Sequence, residues 1–320
     1  MNRSKSENDY EVFVLQVASL AAKIVFRYIL SAMKANGYFN KWVRDLFWVL
    51  SSPPLLGVEA FPKHATPHLF PSEIELELLD KLDQLPHDIE QTMKSLYHLP
   101  TGKIFEKLLL YWFSTSPRWN CEAHGVQLNQ HNQTIGELDF IVQDRDLNQT
   151  WHLEVACKFY LSASNNKAWN TWIGPNPTDT LELKKKKLEN QTRAILNPVA
   201  KEFLEKRHIA VSHSGIILKG YFFHYWKDVA FAKPPTHAHP AYCSGLWCHQ
   251  SEVEQVIGNP EQWTTLNRDS WFAPLLAQDW QPYSIELGQK PVLLARLAQG
   301  QMGFEEDLRL FVVPNDWPNH

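Results

Sequence analysis

Two neighbouring stretches of the chain alternate between polar and apolar residues. Over 135–142, Glu137, Asp139 and Ile141 fall on one side and Leu138, Phe140 and Val142 on the other. Over 151–161, His152, Glu154, Ala156 and Lys158 oppose Trp151, Leu153, Val155, Cys157 and Phe159. A period of two predicts strands, and the polar turn at 144–148 makes them an antiparallel hairpin. Further strands are expected over 122–128 and 214–226, with weaker signals at 291–297 and 308–313.

Helical periodicity appears at 101–113, where Ile104, Phe105, Leu108, Leu109 and Trp112 form a stripe. Thr101 is placed to cap that helix and Pro117 lies beyond its end. A Gly-Pro-Asn-Pro loop at 174–177 leads into a long helix over 179–206, bent or broken at Pro198. Residues 10–98 read as helical, punctuated by Ser-Ser-Pro-Pro at 51–54 and by Pro62, Pro67 and Pro71, with an acidic amphipathic run at 73–85. The apolar stretch 12–30 is interrupted by Gln16, Lys23 and Arg27, which predicts an amphipathic helix packed on the protein and not a membrane span.

These elements predict an α/β fold, a mixed central sheet flanked by helices. Three regions are expected: a helical amino-terminal region at 1–98, a core at 99–226, and a tryptophan-rich α+β region at 227–320 packing on that core.

Composition narrows the class. A 44% hydrophobic and 21% charged chain of 320 residues is globular, not disordered. Net charge is −4, so any nucleic-acid surface must be a local patch. Four cysteines in this length build no disulfide framework, which fits a reducing, cytoplasmic setting. His237, His239, Cys243, Cys248 and His249 are zinc-type ligands, but their spacing matches no standard finger. Trp247, Trp263, Trp271 and Trp280 read as core or docking residues.

Asp139, Glu154 and Lys158 carry the candidate chemistry, because charge between strongly apolar runs must be paired with itself or with a metal. The order of elements is a helix bearing Glu106, a Gly-Glu-Leu-Asp strand, a Glu…Lys strand, and a helix bearing lysines and Gln191. Over roughly 99–226 it resembles the core of the PD-(D/E)XK, or restriction-endonuclease-like, nuclease superfamily. The carboxy-terminal tail resembles that of an uncharacterised bacterial family.

The superfamily resemblance implies that Asp139 and Glu154 bind Mg²⁺ or Mn²⁺, that Lys158 orients or polarises the attacking water, and that Glu106 assists. Gln191, Lys184 and Lys187 would contact substrate, with nucleic acid, DNA above all, as the partner. The chemistry is consistent: carboxylates are hard ligands for such ions, and a lysine can neutralise charge developing on phosphate.

The spacing departs from the superfamily, which has acid-x-Lys. Two residues advance a strand by about 6.6 Å, so four carry Lys158 about 13 Å from Glu154. Either Glu154 is the acid and the lysine is supplied from Lys184–Lys187, or Lys158 is in place and Ala156 occupies the acid position. In the second register Glu154 or Glu137 must substitute, or the site is dead. Three functions follow: a metal-dependent nuclease, a nucleic-acid-binding protein that has lost the reaction, and a protein-interaction scaffold whose charges are structural.

Overall fold

The structure is a computed structural model that describes residues 37–96, 99–280, 288, 290–300 and 303–319; the helix expected over 12–30 lies outside them. Four helices precede the first strand among these residues: α1 (Lys41–Ser51), α2 (Glu73–Gln84), α3 (His87–Met93) and α4 (Thr101–Thr115). α1 is buried along almost its whole length and is capped by Asn40, whose side chain accepts from the Trp42 N–H. α2 begins in a capping box between Ser72 and Glu75. The buried Glu75 also accepts from Ser116 Oγ at 2.5 Å, tying the start of α2 to the end of α4. Thr101 does not cap α4: Pro100 stands at the cap position, and the Thr101 hydroxyl donates to the Arg268 carbonyl instead.

A three-strand antiparallel meander follows: β1 (Trp119–Gln130), β2 (Gln133–Asp144) and β3 (Gln149–Ser162). His131 and Asn132, at φ of 49° and 61°, make the two-residue β1–β2 turn, the left-handed pair that tight hairpins need. The second turn is held by Asp144. Its carboxylate accepts from the Asp146 and Leu147 N–H groups and takes a two-pronged contact from Arg118 at 3.1 and 2.6 Å.

After the short β4 (Trp172–Ile173), the helix expected over 179–206 divides into α5 (Leu181–Gln191), a 3₁₀ segment Thr192–Leu196, and α6 (Pro198–Lys206). Pro198 opens α6 and Asn197 caps it, so the proline starts a new helix. β5 (His213–Tyr225) then runs parallel to β3. β6 (Cys243–His249), α7 (Val253–Ile257), β7 (Trp263–Thr265), β8 (Val292–Gly300) and β9 (Gly303–Val313) follow among the described residues. The nine strands of the described residues form one mixed sheet in the order β1-β2-β3-β5-β6-β9-β8-β7, with β4 on β3. The strands after residue 226 thus extend the sheet of the strands before it.

Alternation on β3 sorts the layers. Leu153, Val155, Cys157, Phe159 and Leu161 pack with α1 and α4, while Ala156 and Tyr160 pack with Leu181 and Leu188 of α5 on the opposite face. On β2 the expected alternation fails at one place. Leu138 joins Ile141 against Ala200 and Leu204 of α6, leaving Phe140 and Val142 on the α4 side. The side chains change phase across Asp139. Among the described residues, no helix is long and apolar enough to cross a membrane.

Candidate functional site

β2 leaves β3 at Asp139. Pairing runs from Asp144↔Gln149 to Phe140↔Leu153 and stops there. The next N–H of β3 to need an acceptor, that of Val155, donates to Asp139 Oδ2 at 3.0 Å, so a side chain replaces the missing strand partner. The Asp139 carboxylate is thereby fixed against the residue that follows Glu154.

Glu154 is fully buried. Its Oε1 lies 3.1 Å from Nε2 of the equally buried His152, two residues back on the same face. Burial lowers the His152 pKa to about 4, so the imidazole is neutral and this contact is a hydrogen bond and not an ion pair. With both acids ionised, Glu154 Oε2 is buried with no hydrogen-bond partner, and His152 Nδ1 is likewise unpartnered.

Burial, then the charge of Glu154, raises the Asp139 pKa to about 7. Burial raises Glu154 to about 7, against hydrogen bonding from Asp139 and the charge of Lys184. The two acids therefore act as one coupled unit that retains a proton near neutral pH. A hydrogen bond from Asp139 to Glu154 raises the former and lowers the latter.

Glu106, on α4, also acts on Asp139, though from the other side of the sheet. It is paired with Lys103 at 2.6 Å, which raises the Lys103 pKa. The half-buried Lys184 enters from α5. Burial, then Lys158 and Lys187, lowers its pKa to about 8, while Asp139 and Asp179 pull the other way.

Lys158 does not join the acids. Its Nζ pairs with Asp179 at 2.5 Å, and both side chains are partly exposed. Gly220 faces it across β5 at φ +137°, where an added Cβ would sit 1.7 Å from the Lys158 carbonyl oxygen; only glycine fits there. Lys187 and Gln191 line an open cavity of about 800 Å³ beside Glu137, with Lys186, Asn190 and Arg193. Gln191 Oε1 is buried there without a partner.

The structure thus brings Glu154, Glu106 and Lys184 each within electrostatic reach of Asp139, holds Lys158 on Asp179, and sets Lys187 and Gln191 along a cavity beside Glu137. Sequence reasoning left out His152 and Asp179. His152 had a legible sign, its place two residues before Glu154 on the same strand face. Asp179 had none, because it reaches Lys158 only through the folding of the 174–180 loop.

Among the described residues, no three His, Cys, Asp or Glu side chains are grouped to hold a metal. The donor set that exists is the two carboxylates. Glu154 Oε2, buried and without a donor when ionised, is the atom a hard cation would satisfy. Two carboxylates are too few for a closed protein cage, and an Mg²⁺ or Mn²⁺ ion held by them would have to fill its remaining positions from water or phosphate.

The histidines and cysteines of 237–249 do not converge. Cys243 packs with the α1–α4 core while Cys248 lies in the cluster of Val253 and Trp263, and burial raises their pKa values to about 11 and about 12. His249 Nδ1 faces the Pro314 carbonyl and His239 Nδ1 accepts from the Ala241 N–H. Trp247 and Trp263 are core residues, 5% and 0% exposed.

No curated protein and no solved structure shows a significant match to the chain. A family model described as a domain of unknown function, DUF1853, matches residues 44–313, which span every described strand and helix except the first three residues of α1. The chain belongs to the DUF1853 family.

Proposed function

We propose that this protein is a divalent-cation-dependent phosphodiesterase acting on nucleic acid, with Asp139 and Glu154 as cation ligands and Lys184 as the working lysine. The observation that carries the reading is the coupled carboxyl pair at the point where β2 parts from β3, with a desolvated lysine beside it. Two like charges held together in a buried setting are costly unless something positive neutralises them.

The order of elements supports it: helix α4, the β1–β2–β3 meander, helices α5 and α6, then β5 parallel to β3. That is the arrangement implied by the resemblance to PD-(D/E)XK nucleases. The displaced-lysine register also gains support, since Lys184 acts electrostatically on Glu154 while Lys158 is engaged by Asp179.

A bound Mg²⁺ or Mn²⁺ would supply charge withdrawal from the phosphate and a more acidic water. The chain's own groups do the rest. His152 fixes the orientation of Glu154 through Oε1 and leaves Oε2 free to ligate. Lys184, with its pKa near 8, carries charge at neutral pH beside the reacting phosphate. Lys186, Lys187 and Arg193 line the adjoining cavity and would attract a polyanion locally, although the whole chain is acidic.

The test is turnover of single-stranded, double-stranded and branched DNA and of RNA, with and without Mg²⁺ or Mn²⁺. Cleavage that requires the ion and disappears in Asp139→Asn and Glu154→Gln is the expected result. Wild-type protein inert on every form would overturn it. A second reading, a nucleic-acid-binding protein without turnover, is favoured by the capture of Lys158 and the absence of a third clustered ligand among the described residues. It predicts salt-sensitive binding that Asp139→Ala leaves unchanged.

A further inference from the structure

Lys219 lies on β5 opposite Cys157 of β3, on the sheet face away from Glu154. It is 5% exposed, and its Nζ donates to the Ser52 carbonyl at 2.7 Å. Among the described residues no acid pairs with it; the charged forms that act on it are those of the Cys243 and Cys157 thiols. Ser52 Oγ, on the residue whose carbonyl Lys219 holds, is buried without a partner. Both residues line a cavity of about 330 Å³ whose wall is otherwise largely apolar, including Leu50, Leu56, Leu69 and Ile217.

A buried ammonium with one hydrogen bond and no counter-ion is an expensive group to keep. Burial, opposed by Cys243 and Cys157, lowers the Lys219 pKa to about 7. A partner of opposite charge would remove that penalty. An oxygen anion would also satisfy the Ser52 hydroxyl.

We infer that this cavity is a binding site for a small apolar carboxylic acid, its carboxylate held by Lys219 Nζ and Ser52 Oγ and its hydrocarbon body lying on Leu50, Leu56, Leu69 and Ile217. The chemistry selects a monoanion, because one lysine and one hydroxyl are too few donors for a phosphate dianion. The size selects a compact body. A cavity of about 150 Å³ accommodates benzene, so roughly twice that volume holds a ring with a short side chain or a short alkyl chain.

The site makes no use of the Asp139–Glu154 pair and stands whether or not the protein cleaves nucleic acid. Other titratable groups around Lys219 are Cys157 on β3, Cys243 on β6, and His68 and His239 in the cavity wall. Burial keeps both thiols protonated at neutral pH.

Phenylacetate and hexanoate are the probes, with phenylacetamide and hexanamide as neutral isosteres, followed by calorimetry in buffers of differing ionisation heat and by thermal shift at pH 8. The expected result is that either acid binds wild-type protein with proton uptake and raises Tm, while both amides bind at least tenfold more weakly. Lys219→Met, which removes an unpaired buried charge and is expected to fold, should lose at least tenfold in affinity and the proton uptake with it. Absence of binding by both acids at millimolar concentration, equal binding of the amides, or unchanged binding to Lys219→Met would each overturn the inference. Should Lys219→Met not fold, Ser52→Ala replaces it: a several-fold loss supports the site and unchanged affinity overturns it.

Discussion

Arg309 on β9 and Glu154 on β3 are both buried in the same sheet, yet their surroundings are opposite in kind. Arg309 contacts Glu306 at 2.6 Å and donates to the Trp271 and Ala273 carbonyls at 2.6 and 2.7 Å. Glu306 in turn accepts from the Leu275 N–H. Burial alone would lower the Arg309 pKa, but the Glu306 carboxylate more than offsets it and the pKa ends up raised. Glu154 has a second acid as its neighbour, one oxygen without a donor, and a pKa raised to about 7. A buried charge with every bond made serves the fold. A buried carboxyl beside a second acid, with burial unopposed by any such cation pair, keeps its proton to higher pH instead.

The sharpest break of this comparison is Arg309→Met. It leaves the Glu306 carboxylate without its cation and takes a donor from the Trp271 and Ala273 carbonyls. Loss of about 3–5 kcal/mol in denaturant unfolding is expected, the usual scale for breaking a buried pair from one side. Asp139→Asn should do the reverse to stability and, on the proposed function, should lower turnover. Activity should fall by at least about 10²-fold, roughly 2.7 kcal/mol of transition-state stabilisation.

The pH dependence separates the two sites further. Asp139 and Glu154 have ordinary values of 3.8 and 4.5 and folded values of about 7. Both therefore bind protons more tightly when folded. Their contribution to stability is full below about pH 4 and is lost as pH rises through about 7. Wild-type protein should lose stability between pH 5 and pH 8, and Asp139→Asn should flatten that slope. Mg²⁺ or Mn²⁺ should raise Tm more at pH 8 than at pH 5, because the ion competes with the retained proton. A slope unchanged in Asp139→Asn would show that the acids are not coupled.

Much of this arrangement is legible in the sequence, and the parts that are not have identifiable causes. The period-two runs at 135–142 and 151–161 give the hairpin and put Asp139 and Glu154 on adjoining strands. They do not show the phase change at Leu138, because a strand that parts from its neighbour keeps the same residue pattern. Pro198 is legible as a helix break, whereas the end of α5 at Gln191 carries no proline or glycine to mark it. The Lys158 spacing leaves two registers open, and weighing Lys184–Lys187 against Lys158 requires knowing how α5 lies over the sheet and that Lys158 pairs with Asp179. Lys219 has a readable sign in the apolar run 216–223, though its cavity depends on the 50–58 and 66–70 segments, distant in sequence.

The smallest effects decide which lysine serves the acids. Lys184→Met should cost about ten- to a hundredfold in turnover, roughly 1.4–2.7 kcal/mol, and should raise the apparent pKa of the carboxyl pair, since the positive charge that lowers Glu154 is gone. Lys158→Met should change stability by only about 0–1 kcal/mol, because its pair with Asp179 is 30% exposed on both sides and screened by solvent. A double-mutant cycle of Lys158→Met with Asp179→Asn should return a coupling of that size, with turnover falling less than in Lys184→Met. If Lys158→Met proves the more damaging of the two to turnover, the lysine must leave Asp179 when substrate binds. The acid-x₃-lysine spacing would then be bridged by movement of the 174–180 loop, and α5 would supply only phosphate contacts.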